Sequence, residues 1–484
     1  MDQAIGFRTE TDGRMFLFNG KQPKNDDMKR LTLNFLTMTA TVMMFAGCQS
    51  TDTGKGREKV GEANVPVLTA AESDPRVMGW MQGFPPAEDK TLSSSDGSYF
   101  TFPALRYSVN HMREFFPTRD VPASDDFRYA VEVDMDHGIE NIAFLPWGSD
   151  KAMTLRQSLD TNYVDGLIIL HKGKIVYETY AGGLTPDGLH AAMSVSKSFT
   201  GTLGAILVAE GVIDPEENVI HYVPELAGSA FGDATVRQVM DMTTALQYSE
   251  DYSDPHAEIW AYAASGNVFR GADYKGPANY YEYLKTVKKL AGAEHGEAFG
   301  YRTVNTELLG WIISRATGKN IAELVSERLW KPLGAHHNGY YQLGTSGIPF
   351  AGGGFNLNLR DMAMFGEMLR CNGRLGGKQI IPEKAVEDIR TGGSHPESQA
   401  RFARGGYDRL KGWSYRNMWW ITNNAHGAFM ARGVYGQAIY IDPAAEMVIA
   451  RFASNYLASN THNDPFSLPA YEAVAEYLMG KDKR

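Results

Sequence analysis

The sequence predicts an α+β fold: a central antiparallel sheet built from both ends of one domain, flanked by helices, with an inserted, mainly helical subdomain. Three observations predict it. Leu167–Tyr180 (LIILHKGKIVYETY) is two β-rich runs around a glycine turn, the pattern of a hairpin. Gly436–Ser454 (GQAIYIDPAAEMVIARFAS) is a second hairpin, turning at Asp442-Pro443. Between them, residues 235–330 carry apolar side chains at helical three-to-four spacing, as in VRQVMDMTT and NTELLGWIISRA. Strands early and late with helices in the middle place both hairpins in one sheet, and hairpins argue against a doubly wound parallel fold.

The elements before the first hairpin concern targeting. Residues 1–27 have no apolar periodicity and read as an upstream extension, with Met28 as the expected start. From Met28-Lys29-Arg30 the chain has a short basic region, an apolar run and small residues before a cysteine, the layout of a secretory signal peptide over 28–47. Phe45-Ala46-Gly47-Cys48 resembles a bacterial lipobox, which implies lipidation of Cys48, and Gln49 after it points to the outer membrane. Leu31–Gly47, with Asn34 and several threonines, is poor for a membrane span. Residues 48–75 are polar and turn-rich, a tether, and 76–150 read as an irregular N-terminal region wrapping the domain of residues 151–484. The only other cysteine, Cys371, lies near a helix end without a paired histidine motif and reads as a packed thiol.

The stretch after the first hairpin carries the chemistry. Ala191–Gly201 reads AAMSVSKSFTG, and from Phe199 the apolar positions Leu203, Ile206 and Leu207 follow helical spacing up to a stop at Gly211. Serine is a favoured N-cap, so a polar helix start is the plain reading. The alternative is a nucleophile. Residues three apart share a helix face, which puts the Lys197 ammonium beside the Ser194 hydroxyl and turns Ser196 elsewhere. Ser196 then either lends a hydrogen bond to Lys197 or packs. Further on, 351–375 is a glycine-rich entry, an Asn358 cap and a helix ending in Asn-Gly, and 466–480 is a last helix.

These blocks resemble the serine β-lactamase/transpeptidase-like superfamily, closest to its esterase and 6-aminohexanoate-dimer hydrolase branch. The likeness spans roughly 150–480: MSVSKSFTG, VPELAG at 223–228, EDYSDP at 250–255, NTELLGW at 305–311, NLNLRDMAMFG, GGSH at 392–395 and GQAIYIDP at 436–443 occur in order. It implies Ser194 as nucleophile, Lys197 as its activator, and Tyr301 in place of the family's motif tyrosine, with Thr303 where that Tyr-x-Asn motif has asparagine. A phenol beside an ammonium is partly deprotonated and can accept the serine proton. The family's Lys-Thr-Gly strand aligns with Ala431-Arg432-Gly433, followed by Val434. The lysine that helps hold a β-lactam carboxylate is absent, with Arg432 as a possible substitute. The resemblance further implies an oxyanion hole from the Ser194 and Val434 N–H groups, which needs no particular side chain. Tyr252, Arg432, Gly433 and Tyr435 are the implied substrate-binding positions.

The expected function is a serine hydrolase cleaving esters or linear amides through a Ser194 acyl-enzyme. The competing reading is a penicillin-recognising or peptidoglycan-associated lipoprotein with little or no catalysis. The expected partners are a small ester or amide and, through Cys48, outer-membrane lipid. This chemistry needs no cofactor. The net charge of −10, with no basic block, argues against nucleic acid. No Gly-x-Ser-x-Gly supports an α/β-hydrolase elbow. His336-His337 has no carboxylate or i,i+4 partner nearby in sequence, so no metal site is expected.

Overall fold

The computed structural model describes residues 67–251 and 254–481. The signal peptide read at 28–47, Cys48, residues 48–66 of the tether and Tyr252 therefore lie outside the described residues. Residues 76–150 form short helical turns, loops, strand β1 (Thr118–Val121) and a two-residue strand at Ala143–Phe144. The first hairpin is β2 (Val164–His171) and β3 (Lys174–Tyr180). It turns on Lys172 and Gly173, both at positive φ (52° and 80°), the pair a two-residue turn needs to match the strand twist. Strand β4 (Leu189–Ala191) leads into helix α1 (Val195–Ala209), and Gly211 follows its end at φ 72°.

The helical middle includes α2 (Glu258–Gly266), α3 (Tyr280–Leu284) and α4 (Thr303–Thr317). Strands β5 (Gly339–Gln342) and β6 (Phe355–Asn358) follow, then α5 (Leu359–Arg370), whose first turn is capped by the Asn358 side chain accepting the Arg360 N–H. The chain closes with β7 (Ser414–Arg416), β8 (Trp419–Ile421), β9 (Phe429–Gly433), the second hairpin β10 (Gln437–Asp442) and β11 (Met447–Ala453), and helix α6 (Asp464–Lys481).

The main sheet has seven strands in the order β7-β8-β9-β10-β11-β2-β3. Late strand β11 pairs antiparallel with early strand β2, Val448 opposite Leu170, so both ends of the domain build one sheet. Side chains alternate between its faces. On one face Gly366 of α5 lies so close to Ile439 and Val448 that a Cβ would come within 2.9 Å and 2.7 Å of them. On the other, Tyr471 of α6 meets Tyr440, the neighbour of Ile439. A second sheet, β1-β5-β6-β4, ties the N-terminal region to the strand that delivers α1.

Two features hold α1 in place. Residues Val195–Leu207 are all buried, so the helix is enclosed on every side rather than amphipathic. At Gly201 it touches the turn before β8: a Cβ there would sit 2.1 Å from the Asn417 carbonyl oxygen, which leaves room for no side chain. Beside it the Ser198 hydroxyl donates to the Met418 carbonyl at 2.7 Å.

Candidate active site

Ser194 occupies the N-cap position of α1, yet its side chain makes no capping hydrogen bond. The hydroxyl instead takes a hydrogen bond from the Lys197 ammonium at 2.9 Å. The plain reading of this serine as a helix cap is thereby set aside. Lys197 is 2% exposed and its second hydrogen bond runs to the Gly352 carbonyl at 2.5 Å. Ser196 neither serves Lys197 in this way nor simply packs: its hydroxyl accepts the Phe355 N–H at 3.0 Å and so fastens β6 to α1.

Tyr301, two residues before α4, brings its ring to the same place. The Lys197 nitrogen lies 5.2 Å from the ring centroid, and the ring is tilted against Trp420 at 5.4 Å. Ser194, Lys197 and Tyr301 are thus brought together from two segments more than 100 residues apart. Thr303, which stands at the motif's asparagine position, is buried, and its N–H donates to the Glu250 carboxylate.

The strand beside the nucleophile is β9. At Gly433 a Cβ would come 2.8 Å from the Ala192 carbonyl, so glycine lets β9 abut the segment that ends in Ser194. Two residues in left-handed backbone flank the site: Met193 (φ 48°) immediately before Ser194 and Tyr435 (φ 63°) immediately after Val434. Non-glycine residues in this region are uncommon and cluster where function imposes a sharp turn. Both pack into a second apolar cluster with Tyr99, Phe100, Val109 and Phe115 of the N-terminal region.

Two implied substrate contacts have other partners in the structure. Arg432 is buried and its guanidinium is paired with Asp464 of α6, with oxygens at 2.5 and 2.7 Å. It also lies over the Trp420 ring at 5.0 Å. Strand alternation is the reason: Arg432 points to the α6 face, while Phe429 and Ala431 point to the face that carries α1. The Tyr435 ring is 3% exposed and packs edge-on against Phe100 at 5.5 Å, so it belongs to the N-terminal cluster instead of an open cleft.

Sequence reasoning missed two buried acids, Glu250 and Glu307. Burial raises the pKa of each, and the Lys197 charge pulls each back. Glu250 lies within the quoted EDYSDP block and Glu307 within NTELLGW, but neither block marks which acid is buried. Elsewhere, His337 does meet carboxylates in space: Asp361 at 3.2 Å and Asp187 at 3.3 Å, the first of which chiefly raises its pKa. Cys371 is half-buried, and burial pushes its thiol up to about 11, far from a reactive thiolate.

With this geometry in view, comparison with known proteins decides the family. The family model described as Beta-lactamase matches residues 161–470. The chain belongs to the β-lactamase family. It is a serine hydrolase of that family, with the β-lactamase/transpeptidase-like fold. Among curated proteins of the family, the 6-aminohexanoate-dimer hydrolase of Paenarthrobacter ureafaciens is 33% identical over 354 residues, covering 73% of this chain and 86% of the relative. Among solved structures, "Putative 6-aminohexanoate-dimer hydrolase from Bacillus anthracis" superposes with a TM-score of 0.71 at 36% identity, covering 81% of this chain and 99% of that one. The hydrolase EstCE1, described as having promiscuous acyltransferase activity, shares the fold at 16% identity and a TM-score of 0.51, over 66% of this chain and 96% of its own.

Proposed function

We propose that this β-lactamase-family enzyme hydrolyses linear amides or esters through an acyl-enzyme on Ser194. The observation that carries the reading is the 2.9 Å hydrogen bond between Lys197 and a serine that forgoes its capping role. Lys197 in its free-amine form, with Tyr301 at its side, takes the Ser194 proton onto its nitrogen lone pair as Oγ bonds to the substrate carbonyl carbon. The Ser194 and Val434 N–H groups receive the negative charge that develops on the carbonyl oxygen; the sharp turns at Met193 and Tyr435 support that aim. Collapse breaks the bond to the amine or alcohol, which leaves with the proton held by the same pair. Water then adds to the acyl carbon, gives up its proton by the same route, and releases the acid and free Ser194.

Strand β9 supports this substrate class. Ala431 stands where a β-lactam carboxylate would meet a cation, and Arg432 is neutralised by Asp464. Losing one charged hydrogen bond costs roughly 1.5–3 kcal/mol, about tenfold to a hundredfold or more in rate if it acts in the transition state. A neutral ester or linear amide does not need that bond. The relatives named as 6-aminohexanoate-dimer hydrolases support linear amides as the physiological class. We expect short-chain esters and linear amides to be turned over far faster than benzylpenicillin or nitrocefin. A cephalosporin kcat/KM equal to or above that for the best ester overturns this.

The envelope location is part of the same proposal. Among the described residues no helix is long and apolar enough to cross a membrane; attachment is assigned to an acylated Cys48. Palmitate labelling of cells should tag the protein, and Cys48→Ala should remove the tag. Labelling unchanged in Cys48→Ala refutes the attachment site.

A further inference from the structure

Glu307 lies on α4 with only 1% of its surface exposed. Its carboxyl accepts the Gly352 N–H at 2.7 Å, and the carbonyl of that same residue receives the Lys197 ammonium at 2.5 Å. Gly352 is hemmed in from the α4 side: a Cβ there would meet the Thr303 methyl at 2.4 Å and the Glu307 carboxyl at 3.3 Å. Glycine is therefore the residue that fits, and a short link runs from Glu307 through Gly352 to Lys197 and on to Ser194.

The surroundings of the carboxyl fit this link. Four tyrosines interact electrostatically with it: Tyr262 of α2, Tyr280 and Tyr281 of α3, and Tyr341 of β5. Lys197 is the cation that acts on it. Burial pushes the Glu307 carboxyl up to about 8, so near neutral pH it is mostly protonated. In that form its carbonyl oxygen still accepts the Gly352 N–H, and it sets no full negative charge near Lys197. A carboxylate there would favour the ammonium and hinder Lys197 as a base.

We propose that Glu307 is a positioning residue for the hydrolysis: through Gly352 it fixes where the Lys197 nitrogen sits against the Ser194 hydroxyl. This rests on the reading of Lys197 as the activator of Ser194, and Lys197→Ala tests that reading separately. The experiment is steady-state p-nitrophenyl ester hydrolysis by the full chain, with thermal melts to check folding. Glu307→Gln keeps an acceptor oxygen for the Gly352 N–H, and its kcat should stay within about threefold of the parent. Glu307→Ala leaves that N–H unpartnered. Its kcat should fall about tenfold to a hundredfold, the kinetic equivalent of one lost buried hydrogen bond, while KM moves little. If Glu307→Ala does not fold, Glu307→Asp replaces it: its carboxyl is one methylene short of Gly352, and the same fall is expected. Parental kcat in Glu307→Ala, or in Glu307→Asp where that replaces it, overturns the proposal. So does equal impairment of the Gln and Ala variants. Full activity in Lys197→Ala would instead bring down the underlying mechanism.

Discussion

Ser194→Ala should abolish hydrolysis of a p-nitrophenyl ester, while Ser196→Ala leaves most of it. The loss at Ser194 should be on the order of a thousandfold or more, because the proposed acyl-enzyme forms on its hydroxyl. The two serines are two positions apart but serve different partners. Ser194 presents its hydroxyl to Lys197, whereas Ser196 turns its hydroxyl to the Phe355 backbone. Ser196→Ala therefore leaves one buried N–H without an acceptor, which costs about 1–3 kcal/mol of stability. It should appear as a lower melting temperature more than as a lower rate. Comparable loss of activity in both variants, or full activity in Ser194→Ala, would contradict the assignment of the nucleophile.

Tyr301→Phe should lower kcat about a hundredfold to ten-thousandfold, the range for removal of a positioned proton-transfer group. The fold should not change. The Tyr301 ring packs on Trp420 at 5.4 Å and its backbone N–H donates to the Tyr407 hydroxyl at 3.0 Å, and both contacts survive in phenylalanine. KM for a small ester should shift little, since in the proposed mechanism the phenol acts on a proton and does not hold the acyl group. The measurement is kcat alongside a thermal melt. An unchanged melt with less than a tenfold fall in kcat would leave Lys197 as the sole base and remove Tyr301 from the mechanism.

Much of the fold was legible because its signals are local. Each hairpin carries its own turn, as Lys172-Gly173 does for β2 and β3. The Ser194–Lys197 pair was legible for the same reason: three residues on a helix make one face. Tyr301 came from its motif position and not from any local pattern. Glu250 and Glu307 were invisible, because an acid that will be buried looks in sequence like one that will be solvated. Their hydrogen bonds reach across 53 and 45 residues, to Thr303 and Gly352.

The sequence by itself determined which chemistry was available: a serine and a lysine one helical turn apart, a tyrosine at the motif position, and alanine where a cation would hold a carboxylate. Only the tertiary structure decided which partner each group meets. It took Ser194 out of capping and gave it to Lys197. It sent Arg432 to Asp464 on the α6 face, buried Tyr435 against Phe100, and set Glu307 behind Gly352. The physical reason is that hydrogen-bond partners and burial depend on which segments meet. Lys197 meets Gly352 across 155 residues, a separation over which neither spacing nor composition carries information.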